Sequence, residues 1–214
     1  MQHPFLQIEK TVHQPFNTHK LAANDYLLIV QPHEDLYNKI IDIKKQFAEK
    51  YDNPMAAFLK PHLTLVKFMQ YEMTEKHIVK KLQSIAESSA SFKVDLNGFG
   101  SFPTHTIYLN VQTKNPIINL VKELKQTQHL LKFDKEHKPH FITEPHISIA
   151  RKLLPWQYEK GWLEYSNTSF SASFMVNNLI LLKRKTGAKG YTVAATFPLL
   201  NKQVAVTTQA SLFS

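Results

Sequence analysis

The chain has 214 residues, 43% of them hydrophobic and 20% charged, enough for one substantial core and too apolar for disorder to be the expected state. A formal charge of +9 and a pI near 9.5 suit phosphate-bearing partners, although a solvated lysine-rich surface gives the same balance. The absence of Cys excludes a disulfide framework, a thiolate metal site and a cysteine nucleophile. The opening MQHPFLQIEK has no apolar signal core, and no apolar run approaches a membrane span, so a soluble cytoplasmic protein with no membrane contact is expected.

Residues 1–24 lack periodicity and read as an N-terminal extension. Tyr26 to Gln31 is an apolar run closed by Pro32, a predicted strand. A helix of about four turns follows, with Asp35 as N-cap. Leu36, Ile40, Ile43 and Phe47 share its apolar face, and Lys44, Lys45 and Glu49 point elsewhere. His62 to Phe68 alternates as a strand. A helix after Thr74 carries Ile78, Leu82 and Ile85, and Phe92, Val94 and Leu96 form a strand running to a turn near Gly98 to Pro103.

The second half repeats this order. Thr106 to Gln112 is a strand. Asn115-Pro116 opens a helix with Ile117, Val121, Leu124 and Leu131 in its stripe. A polar loop, roughly Phe133 to Glu144, leads to the strand His146 to Ala150. A weaker helix spans Pro155 to Leu163. Phe170 to Val176 alternates and continues into Leu179 to Leu182, and Tyr191 to Phe197 is the last strand before a tail over 201–214.

Two strand-helix-strand-helix-strand units point to an internal duplication and an α+β class. The expected architecture is bilobal, with mainly antiparallel sheets around a central cleft, one domain over 25–200 and lobes of 25–103 and 104–200.

The middle strand of each unit opens with the same pattern: Pro61-His62-Leu63-Thr64-Leu65 and Pro145-His146-Ile147-Ser148-Ile149. With a period of two, His62 and Thr64 share one strand face and the aliphatic residues the other, and His146 and Ser148 do likewise. Two imidazoles with ordinary pKa values of about 6.5 can act as base and acid near neutrality. Two hydroxyls can donate to the non-bridging oxygens of a phosphate as charge gathers there. No metal or other cofactor is required by this chemistry. One His-x-Thr alone is weak, more often a surface or satisfied core histidine; two matched copies in a duplication are much stronger.

On these motifs, HLTL (residues 62–65) and HISI (residues 146–149), the sequence resembles the two-histidine (2H) phosphoesterase superfamily, which includes 2′-5′ RNA ligase-like proteins and 2′,3′-cyclic phosphodiesterases. The resemblance covers roughly residues 25–200. It implies a cleft between two lobes, His62 and His146 as acid and base in either order, and Thr64 and Ser148 on the phosphate. It implies nucleotides or RNA ends carrying a cyclic phosphate or a 2′-5′ linkage as substrates. Ser148 replaces the commoner Thr of the second motif, and Val66 stands where the RNA ligase-like group often has Arg. Ligase activity, or RNA binding without catalysis, are the rival readings. Oligomeric state is not encoded in these motifs, and a monomer is the default expectation.

Lys67 and Arg151 each follow a motif histidine by five residues. That odd offset puts them on the opposite face of a regular strand, as solvent-facing charges, although either cation could still reach a phosphate through a bulge or a strand end, a role that the family likeness favours for Arg151. His137 and His140 have metal-like spacing but sit in a predicted loop, where solvation is the simpler reading. His105 and the N-terminal His3, His13 and His19 read as incidental. Phe99, Phe102 and Tyr191 suit either a sheet core or base stacking.

Overall fold

The computed structural model describes residues 22–202. The N-terminal extension and the C-terminal tail expected from the sequence therefore fall mostly outside the described residues. Nine strands form a single sheet, antiparallel at every described pairing: β1 (Ala23–Val30), β2 (Leu63–Tyr71), β3 (Phe92–Phe102), β4 (Thr106–Val111), β5 (His140–Phe141), β6 (His146–Arg151), β7 (Ser171–Val176), β8 (Asn178–Lys185) and β9 (Thr192–Pro198). The helices are α1 (Glu34–Lys50), α2 (Pro54–Phe58), α3 (Glu75–Ser88), α4 (Lys114–Leu124), α5 (Gln128–Leu131) and α6 (Pro155–Tyr165). The α+β class holds.

The strand order is β7-β3-β4-β6-β2-β1-β8-β9, with β5 paired to β2. It reads symmetrically about the β6–β2 seam. Each half is built around an antiparallel pair whose strands are joined through helices, β1 with β2 and β4 with β6, but its next strand comes from the other unit. β3 follows β2 in sequence and pairs with β4, and β8 follows the second unit and pairs with β1. Strand pairing thus crosses the boundary between residues 103 and 104, with both units contributing strands to each half of the nine-stranded sheet. The run expected to continue from Phe170 into Leu182 is split at Asn177, sending β7 to one edge and β8 to the opposite half. Hydrophobic alternation reveals each strand but carries no information about its neighbour.

Helix α1 begins two residues earlier than expected. His33, not Asp35, is the N-cap, its Nδ1 accepting from the Leu36 N–H at 3.4 Å, while Glu34 and Asp35 occupy the first turn where the helix dipole favours acids. Thr113, rather than Asn115, precedes α4. The turn expected at Gly98 is a bulge inside β3: Gly98 has φ +65° and the register slips between Leu96 and Phe99, so the strand runs on to Phe102.

One contiguous core lies between the helices and one sheet face, with Leu63, Leu65, Ile147 and Ile149 fully buried against Ile40, Phe47, Ile117 and Leu131 among others. Helices α1 and α2 pack on β6, α4 and α5 on β2, α6 on β4 and α3 on β9. Among the described residues, no helix packs on the other face of the central strands.

Candidate active site

The seam between β2 and β6 carries one register pair, Leu63 with Ile147. Cross-strand partners point to the same side of a sheet, so both aliphatic residues enter the core and His62, Thr64, His146 and Ser148 all face the open side. The four residues are only partly buried there.

Each histidine is anchored in the same way. The Nδ1 of His62 donates to the Lys60 carbonyl at 2.7 Å, and that of His146 donates to the Glu144 carbonyl at 2.8 Å. A carbonyl can only accept, so Nδ1 carries the proton and Nε2 is left facing the open side for proton transfer. Burial pushes the His62 pKa down to about 4, helped by the positive charges of Arg151, Lys44 and His146 and opposed by the Lys60 carbonyl. His146 is also lowered, first by burial and then by Arg151, but the Glu144 carbonyl and carboxylate resist the shift. The site is asymmetric because the Glu144 carboxylate acts on His146 alone, whereas Arg151, Lys44 and His146 all bear on His62. The Glu144 carboxylate is itself paired with Lys114.

Two matched bulges decide where the flanking cations go. In β2, Thr64 pairs with Ile29 and Val66 with Leu28, so Leu65 is the extra residue. In β6, Ser148 pairs with Tyr108 and Ala150 with Ile107, so Ile149 is extra. Each bulge buries two consecutive residues and inverts the alternation after it. Lys67 and Arg151 therefore return to the face of the histidines, and both are exposed.

Among the described residues, an aromatic wall flanks His146 and not His62. Its ring lies 5.0 Å from those of both Phe102 and Tyr108, which are 4.7 Å from each other. Tyr108 fits because Gly100 lies beneath it; a Cβ there would come within 2.5 Å of the tyrosine ring and 2.4 Å of Asn110. Asn110 is tied down by its amide N–H to the Phe99 carbonyl at 2.8 Å. Phe99 is a core residue, edge-on to Tyr165, and Tyr191 lies under the Arg184 guanidinium. Of the ambiguous aromatics, only Phe102 reaches a motif histidine. Tyr108 was not singled out from the sequence, since its position on an alternating strand resembles any outward tyrosine.

The loop histidines separate. His137 pairs with Asp134 at 2.8 Å. His140 lies on β5 directly across from Lys67, on the open face, a placement that required the β5–β2 pairing to be seen. No cluster of three or more His, Cys, Asp or Glu with metal-binding geometry occurs among the described residues.

The profile of the 2′-5′ RNA ligase superfamily matches residues 32–188, most of the chain and both motif strands. The chain belongs to the 2′-5′ RNA ligase superfamily. The chain is 32% identical over 123 residues to a Geobacillus kaustophilus protein provisionally named a phosphoesterase, an alignment covering 56% of this chain and 67% of that one. A provisionally named Bacillus licheniformis phosphoesterase is 28% identical over 120 residues, covering 54% and 66%. Among solved structures, a Thermus thermophilus protein superposes with a TM-score of 0.59 at 18% identity over 84% of this chain and all of its own. Escherichia coli LigT bound to 3′-AMP superposes with a TM-score of 0.56 at 18% identity, covering 83% of this chain and 98% of LigT. The solved structures show a shared fold, and the family match with the two relatives supports a phosphoesterase-type enzyme. No described helix is long and apolar enough to cross a membrane.

Proposed function

We propose that this enzyme is a metal-independent phosphoesterase that opens 2′,3′-cyclic phosphates or cleaves 2′-5′ phosphodiesters at RNA ends or in small nucleotides, with His62 as base and His146 as acid. The observation that carries the reading is the matched pair of Nδ1-anchored imidazoles facing one open surface beside two hydroxyls. In the proposed step the Nε2 of His62 takes a proton from water as its oxygen bonds to phosphorus. The bond from phosphorus to the ribose oxygen breaks, and Nε2–H of His146 protonates the departing oxygen. Thr64 and Ser148 donate to the non-bridging oxygens, and Arg151 and Lys67 offset their growing charge.

The roles follow from the electrostatic asymmetry. Arg151, Lys44 and His146 disfavour a cation at His62, which suits a base, while Glu144 favours one at His146, which suits an acid. LigT has been crystallised with phosphate, 3′-AMP, ATP and NADP+, which supports a nucleotide as the substrate class. Ligation is the same ring opening with a ribose hydroxyl attacking phosphorus in place of water: His62 takes the hydroxyl proton, the bond from phosphorus to the ring oxygen breaks, and His146 protonates that oxygen. A cytoplasmic monomer acting without a cofactor completes the reading.

The test is hydrolysis of 2′,3′-cyclic nucleotides in excess chelator by wild type, His62→Ala and His146→Ala. Turnover that survives chelator and falls by roughly 10²–10⁴ in each variant is expected. Turnover unchanged by either substitution would overturn the site, and tight RNA binding with no turnover on any cyclic or 2′-5′ substrate would favour a binder.

A further inference from the structure

The helical pattern puts Lys44 among the solvent-facing residues of α1, yet it has no exposed surface at all. Its ammonium donates to the carbonyl of Ser148 and, at 3.1 Å, to that of Ile149. These carbonyls belong to the β6 bulge, at the place where the seam opens beyond the Leu63–Ile147 pair.

The two halves of the sheet treat this opening differently. On β2, strand β5 fills the vacated edge: Phe141 and His140 pair with Val66 and Lys67, and the Ile142 N–H donates to the Leu65 carbonyl at 2.9 Å. On β6, no described strand takes the equivalent edge. A cation reaches it from the core side instead. Burying an ammonium is strongly unfavourable, and a leucine or methionine would fill the same space without that penalty. Burial, with Arg151 nearby, lowers the Lys44 pKa to about 7. Packing alone therefore gives no reason for the residue. The carbonyls it holds lie between Ser148 and Arg151, whose side chains share the open face only because the bulge is there.

We propose that Lys44 is a positioning residue: by holding the bulged carbonyls of Ser148 and Ile149, it fixes the Ser148 hydroxyl and the Arg151 guanidinium on the phosphate-binding face. The proposal rests on the phosphoesterase reading for the ligand class, not for its measurement.

The experiment is a double-mutant cycle on the affinity for adenosine 3′-monophosphate, read by calorimetry on the full chain. Its members are wild type, Lys44→Met, Arg151→Ala and the pair, with Lys44→Gln retaining an uncharged donor. Each single substitution is expected to weaken binding about tenfold and the pair by no more than about twofold beyond the weaker single, since coupled residues are not additive. Lys44→Gln should recover part of the loss.

Imidazole NMR adds a signature that packing alone would not produce. The charges acting on His62 are Arg151, Lys44 and His146, so removing Lys44 should raise the His62 pKa. A folded Lys44→Met protein with wild-type affinity, or losses that simply multiply, would overturn the proposal. So would the failure of both Lys44 variants to fold, which would make the residue a stability element. If the wild type binds the nucleotide but turns over no phosphodiester, the catalytic reading fails and the cycle still decides Lys44. A wild type that binds no nucleotide overturns both.

Discussion

Leu63 stands opposite Ile147, and this one pair turns both motif histidines toward the same surface. A slip of one residue at the seam would send one motif's imidazole and hydroxyl into the core and bring its aliphatics out. The register is held because all four aliphatic residues of the two motifs are fully buried, and exposing them would forgo several kcal/mol of apolar burial.

The hydroxyls are expected to act on the transition state. Thr64→Val and Ser148→Ala should each lower kcat/KM by about 10–10³-fold, with most of the loss in kcat, whereas Thr64→Ser should retain most activity. Steady-state kinetics on a 2′,3′-cyclic nucleotide check this. A loss confined to KM would reduce the hydroxyls to ground-state contacts.

The pH profile follows from the two shifts. His62 must be neutral to accept a proton, and with its pKa near 4 it stays neutral throughout the neutral range. His146 must be protonated to donate, and its pKa lies below the ordinary 6.5. For the free enzyme, kcat/KM is therefore expected to peak on the acidic side and to decline as pH rises toward neutrality. The two limbs belong to the coupled pair rather than to either ring. An optimum above pH 8 would contradict these roles.

His62 should also shape acid stability. Its folded-state pKa is depressed, so its contribution is complete above about pH 6.5, the unfolded value, and is lost as pH falls toward 4. The loss is on the order of 1–3 kcal/mol, allowing for partial solvent access. Urea midpoints taken across that window should fall less steeply for His62→Asn than for wild type. Parallel slopes would remove the buried, neutral imidazole from the account.

Gly100 has a different role. A methyl group there meets Tyr108 and Asn110 at 2.4–2.7 Å, so the wall beside His146 must shift. Gly100→Ala is expected to cost about 1–3 kcal/mol and to lower kcat/KM. Thermal unfolding together with kinetics tests this, and Tyr108→Phe should have little effect on stability. An unchanged melting temperature in Gly100→Ala would show that the ring moves freely.

Much of the site was legible before any tertiary structure, because a motif in a strand obeys a period of two. Pro-His-aliphatic-hydroxyl-aliphatic, written twice, divides core from surface without reference to neighbours. Lys67 and Arg151 marked the limit of that rule. Their offset pointed away from the histidines, and two bulges, which leave no mark in the hydrophobic pattern beyond an extra buried residue, reversed it.

By itself the sequence determined the α+β class, most elements with their apolar faces, and the two motifs with their paired chemistry, all consequences of local periodicity and residue type. The tertiary structure alone decided the exchange of β3 and β8 between halves, the anchoring of the histidines on Lys60 and Glu144, the approach of Phe102 and Tyr108 to His146, and the burial of Lys44. Each depends on which distant segment supplies a carbonyl, a ring or a charge. Spacing along one chain cannot express that, because strand pairing brings together residues that no local pattern links.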